Sequence, residues 1–247
     1  ICTQALHWKT KEGLVRGCAC RGTAGFAHVS CLAEQATILY AEGQENNLGE
    51  KVRNERWHRW SYCSLCEQQY HGVVWCALSW ACWKTYVGRP ETDVALQLAM
   101  SVLGNGLFAT GNHKQEGLRV QEAELCLLRR VGASEARMLV VQTNLSNTYY
   151  LLGRREEASQ MDRDIYSARL KLNGEEHEST LLAANNYASS LKGLQRFEEA
   201  KSLLRRTYPW RDAFSEIVMT TRSGRGGCMR RRSTWPLTPR STISTRP

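Results

Sequence analysis

"NLSNTYYLLGRREEA" (Asn144 to Ala158) precedes "NYASSLKGLQRFEEA" (Asn186 to Ala200) by 42 residues, and the two align without a gap. Asn144 falls on Asn186, Glu156 and Glu157 on Glu198 and Glu199, and Ala158 on Ala200. One period earlier, in "VLGNGLFATGNHKQE", Asn105 and Gly111 fall on Asn147 and Gly153. The first half of each unit sets a large residue before a small one: Leu103, Leu145 and Tyr187, then Gly104, Ser146 and Ala188. Small residues there let a second helix approach closely. The turn that follows carries Gly111 or Gly153 where a left-handed backbone is needed, whereas the third unit has Gln195 there and Gly193 two residues before. Helical repeats of this length imply stacked hairpins that cover their apolar faces only against one another, and about three are the minimum for a stable array. The expected fold is therefore mainly α, an α-solenoid of about three helical hairpins over 91–207.

Upstream of the repeats, Val74, Leu78, Cys82 and Tyr86 step by four before Gly88 and Pro90, which predicts a Trp-rich linking helix within 73–90. Three tryptophans on so short a helix suggest a domain junction. The region 1–72 is rich in Cys, His, Gly and Trp and reads as short loops, apart from "SCLAEQATILYAEG", where Leu32, Ala36, Leu39 and Tyr40 recur at helical spacing. Periodicity stops near Thr207. The segment 208–247, dominated by Arg, Ser, Thr, Gly and Pro, is expected to be disordered, either as an interaction tail or as the product of a shifted reading frame.

The net charge of +9 is concentrated in that tail, since the stretch from Ile217 to Pro247 holds seven arginines and no acid. The body is left nearly neutral, which argues against a nucleic-acid-binding face. The most apolar stretch, Gly72 to Trp83, is too short to span a bilayer, which needs about 20 residues. The chain opens on Ile1 rather than Met and is read as a fragment. No nucleophile motif, phosphate-binding glycine loop or paired acids stand out, so no catalytic residue is assigned.

Six of the ten cysteines lie in the first 66 residues, as Cys2, Cys18-x-Cys20, Cys31 and Cys63-x2-Cys66, with seven residues separating His28 from Cys20 and two separating it from Cys31. Thiolates and imidazole in short pairs are what tetrahedral zinc takes, one turn of chain supplying two ligands. Seven ligands are one short of two sites, and a partner two positions before Ile1 would complete the set. The remaining cysteines are scattered without pairing logic, as in a reducing compartment, so cytoplasm or nucleus is expected.

The C-x-C-x7-H-x2-C core resembles the RING-CH (RINGv) finger, and its spacing fits that better than a PHD finger; the 31-residue gap from Cys31 to Cys63 is longer than usual. The resemblance implies interleaved ligands. Cys18, Cys20, Cys63 and Cys66 would form one complete zinc site, while Cys2, His28 and Cys31 would belong to a second. It also implies docking of a ubiquitin-conjugating enzyme, with Ile1 at the contact and Trp57 and Trp60 either extending that surface or packing on the second zinc loop.

The 42-residue unit resembles tetratricopeptide repeats, specifically those of kinesin light chains, in its asparagine-bearing first helix, its glycine turn and the "EEA" that opens its second helix. Two positions depart from the pattern: Glu116 stands where Ala158 and Ala200 do, and Asp162 where the family has a bulky apolar residue. The resemblance implies that a protein or peptide substrate lies along the concave face, where Asn144, Asn185 and Asn186 would contact its backbone; the alternative for these asparagines is hydrogen bonding between helices. Together the two resemblances imply a ubiquitin ligase or ligase-like adaptor, with a non-enzymatic zinc-finger and repeat scaffold as the rival.

Overall fold

The structure, a computed structural model, describes residues 4–208; Ile1, Cys2 and the tail 209–247 lie outside the described residues. A loop region with isolated antiparallel bridges (Leu6 with Gly13, Val15 with Ala27, Tyr62 with Gln69) surrounds α1 (Val29–Glu45), α2 (Glu50–Trp57) and a single 3-10 turn, His58–Trp60. Then come α3 (Gly72–Tyr86), α4 (Val94–Ala109), α5 (Lys114–Arg130), α6 (Glu135–Leu151), α7 (Arg155–Asn173), α8 (Glu178–Gly193) and α9 (Phe197–Thr207). The expected solenoid is present as the hairpins α4–α5, α6–α7 and α8–α9.

The long gap between Cys31 and Cys63 is occupied by α1, α2 and the 3-10 turn, of which only α1 shows helical spacing in the sequence. α2 is short and strongly charged, and a single residue, Trp57, anchors it in the core. Tyr40, Trp57, Trp60, Cys82, Tyr86, Ala95, Ala99 and Val102 form one buried cluster spanning the loop region, α3 and α4. Trp57 meets Tyr40 edge-on with ring centroids 4.8 Å apart, and Trp60 is fully buried. Both tryptophans are buried in this cluster and so do not extend an outer surface. They glue the cysteine-rich module to the array, because large aromatic rings contribute more by burial than any other side chain.

α3 does more than link. Val74 and Leu78 lie in a cluster with Cys18, Cys63 and Tyr70, while Cys82 and Tyr86 lie in the cluster shared with α4. The approach to α4 is close, since a Cβ on Gly106 would fall 1.8 Å from Ser79 Oγ. The first helix of the array therefore packs on α3 as closely as the two helices within a hairpin pack on each other.

Within the array the small residues act as expected. A Cβ on Gly104 would fall 2.8 Å from Gln121 Cγ, and Ser146 Oγ donates to the Ala158 carbonyl at 3.2 Å. The first unit is offset by one residue from the sequence alignment. Gly117, not Glu116, takes the place of Ala158, because a Cβ there would meet the Gly104 carbonyl oxygen at 2.9 Å. Gln121 then corresponds to Asp162 and Leu204, so two of three units bury a polar group at that point. Gln121 Nε2 donates to Asn105 Oδ1 at 3.0 Å; Asp162 accepts from Ser146 Oγ at 2.6 Å and from Ser190 Oγ, which joins α6, α7 and α8. Satisfied in this way, a buried carboxylate is tolerated. In the turns, Gly111 and Gly153 have φ of +77° and +82°, and in the third unit Gln195 itself adopts φ +62°. Gly193 serves another purpose, since a Cβ there would fall 2.8 Å from Tyr150.

One buried acid should make the stability of the array depend on pH. Glu124 on α5 is 1% exposed and accepts from Ser101 Oγ on α4. Burial pushes its carboxyl up to about 7, against the opposing effects of the Ser101 bond and the nearby Arg137. Because the folded form holds this proton more tightly than the unfolded chain, the stabilisation is complete below about pH 4.5 and lost as pH rises through about 7. Glu124→Gln should remove a loss on the order of 3 kcal/mol between those limits. Denaturant unfolding at pH 5 and pH 8 checks this; a pH difference identical in the variant and the parent would contradict it.

Candidate metal centre and repeat inner face

Two tight turns supply the thiols. The first lies between the bridged residues Val15 and Ala27 and carries Cys18 and Cys20. It is tightened by Arg16, whose Nη1 donates to the Gly22 carbonyl at 2.8 Å and whose guanidinium lies over the Phe26 ring. The second lies between Tyr62 and Gln69; the Cys63 amide donates to the Gln68 carbonyl at 3.0 Å, and Glu67 turns the chain with φ +53°. Cys18, Cys20, Cys63 and Cys66 converge so that their Sγ atoms all lie within 4.8 Å of one another, as the interleaved pairing implies.

The spacing suits a metal. A tetrahedral ion with bonds to sulfur of about 2.3 Å needs ligand sulfurs about 3.8 Å apart, and Cys20 Sγ lies 3.8 Å from Cys63 Sγ. The Leu65 amide points at Cys63 Sγ at 3.4 Å. Burial works against ionisation of Cys63, but amide hydrogen bonds from Cys66 and Leu65 outweigh it and pull the thiol down to about 7, while burial and neighbouring thiols push Cys20 up to about 12. Four thiols so close cannot all shed protons unless a cation replaces them. Tyr70, packed beside Cys63, has its phenol pushed up by burial and by the neighbouring thiols. A tetrahedral ion held by these four thiols would have every position filled by protein, unlike an open hydrolytic metal site.

His28 and Cys31, expected in a second site, lie apart from this cluster at the start of α1. Cys31 Sγ is 3.7 Å from His28 Nδ1, close to the tetrahedral edge of about 3.6 Å for one sulfur and one nitrogen ligand. His28 is fully buried, and its Nε2 has no partner among the described residues. His7, which shows no partner pattern in the sequence, packs its ring against His28 with centroids 5.2 Å apart. Glu12, also unmarked in the sequence, accepts from the Ser30 amide at 2.8 Å; burial opposes its ionisation, yet the hydrogen bonds from Ser30 hold the carboxyl below its ordinary value.

On the array, Asn144 of α6 and Asn186 of α8 are half-buried, and their side-chain amides make no hydrogen bond with other described residues. They lie beside Val140 and Leu182, which are 52% and 56% exposed at positions one repeat apart. Asn185 is engaged differently, as its Nδ2 donates to the Tyr208 hydroxyl at 2.8 Å. It therefore caps the end of the array between helices. The position equivalent to Asn144 in the first unit is Val102, buried beneath Tyr40 and Trp57, so the open amide row begins at α6.

Comparison with known proteins bears on the array. Residues 134–211 match the tetratricopeptide repeat family. Nearly identical tetratricopeptide-like repeats from a protein described as a kinesin light chain of Podosopora anserina, in a form carrying one substitution, superpose with a TM-score of 0.50 at 17% identity over 73% of this chain and 85% of that one. BtubC (BKLC) from P. vanneervenii superposes with a TM-score of 0.51 at 14% identity, over 77% and 76% of the two chains. The fold is thus a tetratricopeptide-like solenoid of the kind found in kinesin-light-chain repeats, and such repeats generally bind proteins. No curated protein sequence matches the chain. Among the described residues no helix is long and apolar enough to cross a membrane.

Gly25 offers a sharp check on the metal centre. It has φ +79°, and a Cβ there would fall 2.6 Å from Cys20 Cβ and 2.9 Å from Cys18 Sγ. Gly25→Ala should weaken metal binding at the four-cysteine site by about 10-fold or more, on the scale of other losses around metal ligands. Chelator competition measures it, and unchanged affinity would contradict the site as drawn.

Proposed function

We propose that this protein is a zinc-stabilised interaction scaffold, in which the four-cysteine centre secures the module at the head of the array and the inner face of the repeats holds an extended segment of a partner protein. The observation that carries this is the row of unengaged amides, Asn144 and Asn186, flanked one repeat apart by exposed Val140 and Leu182. Amides of that kind can pair with a peptide backbone while the aliphatic side chains take up its apolar groups. Zinc is favoured for the centre because four thiolates at tetrahedral spacing suit a soft, four-coordinate ion.

The experiment selects binders from a randomised peptide library on the zinc-loaded protein, then measures them by fluorescence polarisation. Asn144→Ala with Asn186→Ala should weaken selected peptides by about 10-fold or more, the scale of losing two paired amides, whereas exchanges on the opposite face, such as Arg163→Ala, should leave them unchanged. Binders indifferent to both asparagines would overturn this reading of the inner face.

A second reading, recruitment of a ubiquitin-conjugating enzyme, is favoured by one feature: Leu65, within the Cys63–Cys66 turn, is 69% exposed. An apolar side chain held outward beside a metal loop suits docking of another protein. Zinc-loaded protein assayed for self-ubiquitination with a panel of conjugating enzymes separates the two. Transfer that is lost in Leu65→Ala supports recruitment; silence across the panel with zinc bound leaves the scaffold.

A further inference from the structure

From Gly72 to Trp83 the chain carries no charged side chain. A helix that is apolar all round is normally covered all round. Two sides of α3 are covered: Val74 and Leu78 pack against the two cysteine turns, and Ser79, Cys82 and Tyr86 face α4 and the aromatic cluster. The remaining side is open. Val73 is 77% and Trp80 43% exposed, and Cys76 and Ala77 between them are half-buried. Helical spacing puts these four on one stripe. α5 and α7 turn a different side outward, with Arg119, Arg129 and Arg130 exposed on α5 and Glu156, Arg163 and Asp164 on α7.

The open stripe is one wall of a groove of about 310 Å³; Thr110, Asn112 and His113, in the turn between α4 and α5, form the other. A cavity of that size accepts an apolar anchor from another molecule. It is too small a surface to hold two copies of the chain together, because a stable protein interface buries about 800 Å² on each partner. The rim selects by charge. Lys84 continues the stripe one turn beyond Trp80 and is exposed, while Lys114 follows the lining turn with its ammonium over the Phe108 ring. The two segments that build the groove, 68–90 and 94–115, contain no acid, and the nearest along the chain is Glu116, which faces His113 at 4.0 Å.

We propose that this groove docks an amphipathic helix of a partner protein, one that lays an apolar stripe against Val73, Ala77 and Trp80 and carries acidic residues toward Lys84 and Lys114. Helices bind such grooves through anchors at i, i+3, i+4 and i+7, the spacing that Val73, Cys76, Ala77 and Trp80 themselves present. The apolar wall supplies the attraction, and the cationic rim rejects helices of the wrong charge. The site shares no residue with the inner face of α6 and α8 and stands independently of it.

The test pans a bead-bound library of hydrocarbon-stapled helical peptides with the full, zinc-loaded chain. Apolar residues vary at i, i+3, i+4 and i+7, and Glu or Lys varies at the positions between them. Selected binders should be rich in Glu. Trp80→Ala should weaken them about 10-fold or more, as loss of a central aromatic anchor does, and so should Val73→Glu, which puts a carboxylate on the stripe. Lys84→Glu combined with Lys114→Glu should turn the selection from Glu to Lys, whereas Asn144→Ala with Asn186→Ala should change nothing. Amide exchange in α3 of Val73→Glu should match the parent, since that side chain is already exposed. Binders rich in Lys, or indifferent to Trp80→Ala and Val73→Glu, overturn the proposal, as does a panning that returns none. A dimer of the parent that Trp80→Ala abolishes, seen by analytical ultracentrifugation, overturns it too, since a second copy then covers the groove.

Discussion

Closure of two distant turns over one face of α3 is the interaction on which the rest depends. Cys18 and Cys20 come from one turn and Cys63 and Cys66 from another, and both rest on Val74 and Leu78. The seam is tight: the His71 amide donates to the Gly17 carbonyl at 2.8 Å, and a Cβ on Gly17 would fall 2.4 Å from Val74. A helix of 15 residues is marginal on its own and needs tertiary packing. α3 receives that packing on two faces, from the cysteine cluster and from α4. Metal binding in such a module is folding free energy, since few residues there could build a core unaided.

From α3 onward the architecture repeats. Each new helix finds a small residue to approach and a left-handed turn to reverse on, and the pattern holds through α9. Polar groups enter at one recurrent point, as Gln121 and Asp162: hydroxyls from α6 and α8 satisfy the Asp162 carboxylate, and Gln121 pairs through Nε2 with Asn105 while its Oε1 has no partner among the described residues. Directional bonds at those points fix the stacking register more strictly than apolar contacts alone, while Leu204 keeps the apolar solution in the last unit. The module packs on α4 through Tyr40, Trp57 and Trp60, burying Val102, whereas the equivalent Asn144 on α6 and Asn186 on α8 stay half-buried.

Much of this is legible in the residues. The 42-residue offset locates the three hairpins, the steps of four from Val74 to Tyr86 find α3, and the interleaving implied by the finger resemblance names the four thiols that lie together. Other parts are not. Trp57 and Trp60 sit on no periodic face in the sequence because α2 is short and charged, and only the three-dimensional path of the gap shows them buried against α3 and α4. The one-residue offset that puts Gly117 in place of Glu116 is hidden, since an ungapped alignment conserves length while the longer α4–α5 turn absorbs the shift. Glu12 carries no signal at all, because a cap supplied from another segment leaves no local pattern.

The central claim is that metal at the four-cysteine centre holds α3 in place and, through it, the start of the array. Hydrogen exchange measured on the metal-free chain and again after one equivalent of zinc tests this most directly. Protection should rise across Val74 to Tyr86 and continue into α4, while α8 and α9 change little. Zinc that binds to Cys18, Cys20, Cys63 and Cys66 and raises protection only in the two turns would contradict it.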